Sequence, residues 1–466
     1  MFRSSFLYLG IFAIFISIFS ILNILFCYYF NSLLNVSVYF YSLLISTILS
    51  IVLIYFNKSY FSEKIFFFEK ILLVIVGFFY LPLLIAIPYY LSIYNISFVN
   101  SYFEAISGFT STGFTIFNNT KEIDEPLLIW RSISQWLGGL YFIYSLFLLA
   151  DSSKIKNIYS NLAAANFIEI KKQYTKVLII YFLLTALIFV LLSFSGIRLF
   201  ESLNLSMTII SAGGFLPSNS LNEIIRLESQ TIVFSLCMLI PFFNLYLIYN
   251  IFSGKRSLDI NLQDLYLLAF LLSVLFFFYI FFNKEYDLSL ILFSVISSLS
   301  NIGIGPNSDF SNLSILLLIL VIIGGSTFST SSGLKFIKLY TLIKFSLNEI
   351  YLIVKPLHVS GNTLFLSKSK VNDEEIKNYF LIVIFFISCL FLLSAILSFE
   401  NISFQNIFSL SILTITNTVN SSNYELTDFY FVDLNIFSKY SLIIFMIIGR
   451  VELLSFLILI KKFFTK

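Results

Sequence analysis

Apolar runs of about 20 residues, each long enough to cross a bilayer as a helix, follow one another through almost the whole chain. That feature leaves few folds open. Of the 466 residues, 59% are hydrophobic and only 11% charged, and the mean hydropathy is +0.95. A soluble core does not have such a composition. In lipid every backbone polar group must find its partner inside the protein, so the chain reads as an all-α polytopic membrane protein. Cys27, Cys237 and Cys389 lie singly inside apolar runs and are too scattered for a metal site. His358, the one histidine, falls in an expected cytosolic loop and reads as a solvated residue. The opening run from Phe6 is too long, and too far from a small-residue cleavage site, for a signal peptide.

Against this background residues 107–115, Ser-Gly-Phe-Thr-Ser-Thr-Gly-Phe-Thr, are out of place. A short apolar lead (residues 101–106) precedes them, and a loop with Lys121, Glu122, Asp124 and Glu125 follows. Polar, extended backbone at membrane depth is tolerated only where protein buries it or water lines it. Carbonyls strung along such a stretch can replace an ion's water shell. The stretch is expected to be a re-entrant pore segment, and it recurs. With Gly113, Gly214, Gly303 and Asn420 aligned, a hydroxyl stands six residues earlier each time (Ser107, Thr208, Ser297, Thr414). Three residues earlier stand Thr110, Ser211, Ser300 and Asn417, all small and polar. The spacings of 101, 89 and 117 residues exceed any solenoid period.

The expected fold is therefore four pseudo-symmetric helix–pore-loop–helix repeats around one central pore, plus an N-terminal two-helix hairpin. The hairpin occupies residues 1–60, with helices 5–30 and 33–56. Repeat 1 spans 61–172, with helices 69–91 and 126–151. Repeat 2 spans 173–260, with helices 174–196 and 230–252. Repeat 3 spans 261–370, with helices 264–282 and 313–345, the second interrupted. Repeat 4 spans 371–466, with helices 376–399 and 436–463. This makes ten crossing helices and four short pore helices. With both termini on one side, that side carries 21 Lys and Arg and the other six, Lys121, Arg131, Arg198, Arg226, Lys284 and Lys439. The positive-inside rule makes the basic side, and both termini, cytosolic. The outer side holds 14 acidic residues, a field that concentrates cations, although acids also accumulate wherever bases are sorted away.

Two polar interruptions remain. Gly449-Arg450-Val451-Glu452 sits inside residues 442–460, where a mid-membrane charge costs about 2.5–3.5 kcal/mol and needs a partner or a watery cavity. Arg450 and Glu452, two apart, point in different directions on a helix and do not neutralise each other. Residues 324–335, Gly-Gly-Ser-Thr-Phe-Ser-Thr-Ser-Ser-Gly-Leu-Lys, break a run that otherwise continues from 315 to 343. Glycines and hydroxyls at this density end a helix.

Ser107-Gly-Phe-Thr-Ser-Thr-Gly113, Gln135-Trp-Leu-Gly-Gly139, Gly213-Gly-Phe215, the 324–335 block followed by Phe336-Ile-Lys338, and Gly449-Arg-Val-Glu452 carry a resemblance. With them the chain resembles the TrkH-like potassium transporters of the Trk/Ktr/HKT superfamily, over nearly its whole length. The hairpin is similar to the TrkH branch. The resemblance implies a K⁺ uptake protein, not an enzyme. Backbone at Thr112, Gly113, Gly213, Gly214, Ile302, Gly303, Val419 and Asn420 would coordinate the dehydrated ion, with Gly113, Gly214, Gly303 and Asn420 as the four K⁺-binding positions. Gly324, Gly325, Ser326, Thr327 and Gly333 would form a gate beneath, with Arg450 projecting into the pathway. It further implies a homodimer, a cytosolic nucleotide-binding regulatory subunit, a lipid surround, no nucleic acid, no organic cofactor, and a place in the bacterial inner membrane. No phosphate-binding GxxxxGK[ST] motif occurs, so nucleotide control would come from that partner. The chain departs from the family at Asn420, where a glycine is expected, at Asn301-Ile302 and at Phe328. Asn tolerates left-handed backbone better than other side-chain-bearing residues. These departures leave open a Na⁺-permeable or Na⁺-preferring pathway of the same fold. A secondary transporter of an organic substrate, holding its ligand between broken helices, is the other alternative. The like orientation of all four repeats argues against it.

Overall fold

The computed structural model describes residues 3–57, 67–149, 167–245, 261–306, 312–354, 373–400, 402–426 and 429–451. His358, Glu452 and the expected helix ends at 252 and 463 lie outside the described residues.

The hairpin consists of α1 (Arg3–Tyr29) and α2 (Val36–Asn57), joined by a left-handed Asn31 (φ 58°) and one 3₁₀ turn, Leu33–Asn35. Its inner seam is small and polar: the Ser20 and Ser42 hydroxyls meet at 3.1 Å, and Ser50 Oγ donates to the Gly10 carbonyl at 2.9 Å. Asn23 donates to the Pro126 carbonyl and Asn35 to the Asp124 carboxylate, so the hairpin is tied to the first repeat. Its other face exposes Leu25, Tyr29, Ile48 and Ile51, the pattern of a surface covered by lipid rather than water.

Repeat 1 is α3 (Phe67–Leu91), α4 (Phe98–Phe109) and α5 (Glu125–Leu149). Repeat 2 is α6 (Phe167–Phe194), α7 (Leu199–Ile210), a single turn α8 (Leu221–Ile224) and α9 (Glu228–Met238). Repeat 3 is α10 (Asn261–Phe282), α11 (Leu288–Leu299), α12 (Ser314–Ile322) and α13 (Phe336–Val354). Between α12 and α13 the two-residue strands Ile323–Gly324 and Leu334–Lys335 pair in parallel. Repeat 4 is α14 (Asp373–Leu397), α15 (Phe404–Ile415) and α16 (Ile436–Arg450).

Among the described residues seven helices are long and apolar enough to cross a membrane: α1, α2, α3, α5, α6, α10 and α14. The second helices of repeats 2 to 4 differ from the expected long spans. The helix expected over 230–252 stops at Met238, and residues 239–243 turn instead. Pro241 in that turn has no N–H for a helical ladder, while the N–H groups of Phe242 and Phe243 both go back to Leu239. α12 ends after nine residues, as the glycine and hydroxyl content of the next block requires. Among the described residues the second helix of repeat 1, α5, is by contrast an unbroken span, and it is 89% buried over its apolar stretch, against 17% for α10. It is covered by α1, α3, α4 and α7.

Candidate functional site

Four helices of equal length, α4, α7, α11 and α15, each 12 residues, end in one and the same motif. The residue after the C-cap is left-handed: Ser111 (φ 59°), Ala212 (54°), Asn301 (59°) and Asn417 (49°). The next N–H turns back to the third-last helical residue. Thr112 bonds Ser107 O at 2.9 Å, Gly213 bonds Thr208 O at 2.9 Å, Ile302 bonds Ser297 O at 3.1 Å and Thr418 bonds Leu413 O at 2.9 Å. This is a Schellman turn, which satisfies the orphan carbonyls of a helix end.

The turn defines the register physically, and it corrects the sequence alignment in the fourth segment by one residue. Val419, not Asn420, is the counterpart of Gly113, Gly214 and Gly303. The alignment slipped because Leu413 stands where the other segments carry Ser107, Thr208 and Ser297, and the hydroxyl of the neighbouring Thr414 substituted for it. Helix packing agrees with the corrected register. A Cβ on Gly138 would lie 1.8 Å from the Phe109 carbonyl oxygen, and one on Gly449 would lie 2.1 Å from that of Ile415. Phe109 and Ile415 each stand four residues before the corresponding position, Gly113 and Val419.

The four segments converge. A Cβ on Gly214 would stand 2.3 Å from Val419 Cβ, and one on Gly113 3.0 Å from Val419 Cβ and 3.1 Å from Gly214 Cα. One on Gly303 would meet Thr418 Cγ2 at 2.3 Å and the Val419 carbonyl at 2.9 Å. Gly113 (φ 84°) and Gly303 (φ 77°) use the left-handed backbone that glycine alone adopts freely. Gly213 and Gly214 do not. Glycine at 213 is required instead by Gln135, whose amide would lie 2.5 Å from a Cβ there and whose Oε1 accepts from Phe215 N at 3.3 Å. Asn301 Nδ2 reaches Thr418 Oγ1 at 3.4 Å, and Asn417 Nδ2 reaches Thr112 Oγ1 at 3.0 Å, linking segment 3 to 4 and 4 to 1. Above the convergence opens a vestibule of about 770 Å³, lined among others by Thr115, Arg131, Val419, Asn420 and Glu425. Asn420 belongs to its wall, with Nδ2 donating to the Leu426 carbonyl at 3.1 Å.

Below lies the interrupted part of repeat 3. Its hydroxyls take over the partners that a helix would have supplied. Gly325 N donates to Ser331 Oγ (2.9 Å), Ser329 Oγ to Ser326 O (2.6 Å), and Thr330 Oγ1 to the last carbonyl of α7, Ile210 (2.8 Å). Ser326 N bonds Phe242 O at 3.0 Å, so the block sits on the turn that ends α9, and Thr327 lies in a half-buried turn of the block. Gly324 and Gly325 are forced by backbone approach, since a Cβ would meet Ser332 O at 2.1 Å or Phe242 O at 2.3 Å, and Gly333 by its φ of 68°. Lys335, singled out by the sequence only as the end of the block, folds its ammonium inward onto Ser331 O (2.7 Å), Ser329 Oγ (3.0 Å) and Ser329 O (3.2 Å). Arg450 joins this block to the convergence. Nη1 donates to Ser332 Oγ at 2.6 Å, Nη2 to Ser111 Oγ at 3.2 Å and Ser211 O at 3.1 Å, and the guanidinium lies 4.2 Å over Phe142. These partners are neutral oxygens and a ring, and Ser111 and Ser211 stand at the C-terminal ends of α4 and α7, where helix dipoles favour a cation. The cavity beside it, between Phe142, Ser332, Lys335 and Gly449, is only about 40 Å³.

Counting charges does not show that two residues of the outer side pair in the protein interior. Glu104 and Arg131 belong to the outer-face tally, yet both are buried and face each other at 2.9 Å. A carboxylate inside the apolar α4 and a guanidinium inside the apolar α5 were the available signals, because such groups are retained in a membrane only with partners.

No protein-family model matches the chain. An uncharacterized cation transporter of Methanocaldococcus jannaschii is 28% identical over 392 residues, covering 82% of this chain and 80% of that protein. The Trk system potassium uptake protein TrkG of Escherichia coli strain K12 is 25% identical over 398 residues, 80% of each. TrkH of Salmonella typhimurium, also a Trk system potassium uptake protein, is 27% identical over 291 residues, 56% of this chain and 58% of its own length. The crystal structure of the potassium transporter TrkH from Vibrio parahaemolyticus superposes over 100% of both chains with a TM-score of 0.84 at 21% identity.

Proposed function

We propose that this chain, whose homologues are Trk potassium uptake proteins and whose fold is that of TrkH, is a K⁺ uptake protein with a gated pathway through the inner membrane. The observation that carries the reading is the convergence of four re-entrant segments in one register. Carbonyls of Thr112, Gly113, Gly213, Gly214, Ile302, Gly303, Thr418 and Val419 are then the ligands of a dehydrated cation, with the K⁺ sites at the level of Gly113, Gly214, Gly303 and Val419. The vestibule, with Asn420 in its wall, is the outer mouth. The block containing Gly324, Gly325, Ser326, Thr327 and Gly333 is the gate, and Arg450 its latch, because that one side chain bonds both the block and the ends of segments 1 and 2. Both termini are cytosolic, the protein works as a homodimer in lipid, and a cytosolic nucleotide-binding subunit acts on the inner face. The transported ion is the one inorganic group involved.

A second reading, permeation of Na⁺ beside K⁺, draws support from Val419. Its branched side chain stands where the other segments have glycine, and changes the width of the path at the ion. The test is growth of a K⁺-uptake-deficient bacterial strain at low external K⁺, with Rb⁺ uptake competed by K⁺ and by Na⁺. Rescue with K⁺ competing better supports K⁺ uptake, and equal competition supports the mixed pathway. Failure to rescue while the protein is present in the membrane overturns both.

A further inference from the structure

We infer that Glu104 and Arg131 are positioning residues for ion discrimination, a brace that holds the outer ends of segments 1 and 2 at a set separation. The inference rests on the reading of the convergence as an ion filter. Glu104 on α4 has no exposed surface and Arg131 on α5 is 2% exposed. Glu104 Oε1 accepts from Arg131 Nε at 2.9 Å and from Thr115 Oγ1 at 3.1 Å, and its Oε2 accepts from Ile116 N at 2.8 Å. Arg131 Nη2 donates to Thr115 Oγ1 at 2.9 Å, and Nη1 reaches the Leu216 carbonyl at 3.4 Å. The guanidinium plane lies 4.2 Å over the Phe215 ring. One ion pair therefore grips Thr115 and Leu216, each two residues past a convergence glycine, Gly113 and Gly214.

Stability alone does not call for such a pair. Exchanging a buried ion pair for apolar side chains of similar size is often neutral or stabilising. The other pore helices do without it: the register of Glu104 falls on Leu205 in α7, Ser294 in α11 and Leu410 in α15. The outer ends of segments 3 and 4 are joined by neutral bonds, Ser421 Oγ to Gly303 O at 2.6 Å and Asn423 Nδ2 to Ile304 O at 3.4 Å. What the pair adds is direction. A planar guanidinium holds its oxygens in a fixed fork, whereas a lysine ammonium is a point charge with freely rotating donors. Carbonyls selecting between two ions by size or field need that constancy.

The test uses the full-length protein, expressed in the K⁺-uptake-deficient strain and reconstituted in vesicles, and reads Rb⁺ uptake competed by K⁺ and by Na⁺. The double variant Glu104→Gln/Arg131→Gln removes both charges together, so the vestibule gains no net charge and the readout reports geometry. The preference for K⁺ over Na⁺ should fall about tenfold, the scale of one charge-assisted hydrogen bond, at wild-type membrane abundance. Arg131→Lys should be intermediate. Lys121→Gln, which removes an exposed pair with Glu223, should leave the preference unchanged. A double variant with less uptake but unaltered preference overturns the brace. Should the double variant not reach the membrane, Thr115→Val decides, because it removes the shared hydroxyl and leaves the ion pair. An unaltered preference in that variant overturns the proposal. Wild-type protein that takes up no Rb⁺ overturns the filter reading itself, and the brace with it, a result distinct from a change confined to the variants.

Discussion

α5 and the α12–α13 pair hold the same place in repeats 1 and 3, each following its pore segment, yet one is an unbroken 25-residue helix and the other stops and restarts. Both carry a glycine pair, Gly138-Gly139 and Gly324-Gly325. A glycine pair alone is therefore not enough to break the second. In α5 the pair stays helical and serves close approach: α4 ends against Gly138, and Tyr181 and Ser211 close over Gly139. In repeat 3 the pair is followed by Ser326, Thr327, Ser329, Thr330, Ser331 and Ser332, whose hydroxyls compete with the helical ladder for backbone partners. Lys335 then closes the loop on itself. One helix is a wall against which segment 1 is set; the other is interrupted by a loop closed with its own hydrogen bonds.

The largest expected effect breaks the wall. Gly138→Val places carbon on the Phe109 carbonyl and should cost at least about 3 kcal/mol, the upper range for overpacking. The expected outcome is loss of the monodisperse peak in detergent. A normal elution profile with normal uptake would mean that α4 and α5 are not held as tightly as the geometry states.

Next comes segment 1, which the wall supports and which we propose as part of the ion filter. Gly113→Asp demands a left-handed backbone from a side-chain-bearing residue beside Val419 and Gly214, so Rb⁺ uptake should disappear with the protein still in the membrane. Undiminished uptake would remove Gly113 from the pathway.

The proposed gate role of the interrupted block is sharpened by Arg450→Gln, which loses the donors to Ser332, Ser111 and Ser211. Hydrogen bonds from a charged group are worth about 1.5–3 kcal/mol each. Unlatching should therefore raise basal Rb⁺ leak into reconstituted vesicles, and deletion of residues 326–331 should do the same more coarsely. A leak no higher than wild type in both would mark the block as a fixed kink.

The smallest effects separate neighbours. Val419→Gly removes the side chain between Gly113 and Gly214 and should shift K⁺/Na⁺ competition several-fold, roughly the effect of 1 kcal/mol. Asn420→Gly, which loses one bond to Leu426, should leave competition unchanged. The reverse result would restore the register read from hydroxyl spacing.

The sequence by itself determined the membrane class, the four modules, the break in repeat 3 and the unusual place of Arg450. These are local or compositional properties: a 20-residue apolar run, a cluster of hydroxyls or a lone charge carries its cost whatever surrounds it. Only the tertiary structure decided that Val419 holds the fourth position, that Glu104 and Arg131 pair, and where the Lys335 ammonium points. The first depends on a helix end whose backbone turn is indifferent to whether Leu413 or a hydroxyl occupies the accepting residue. The others depend on side chains brought together across helices and loops, and spacing along the chain does not encode which buried charge meets which oxygen.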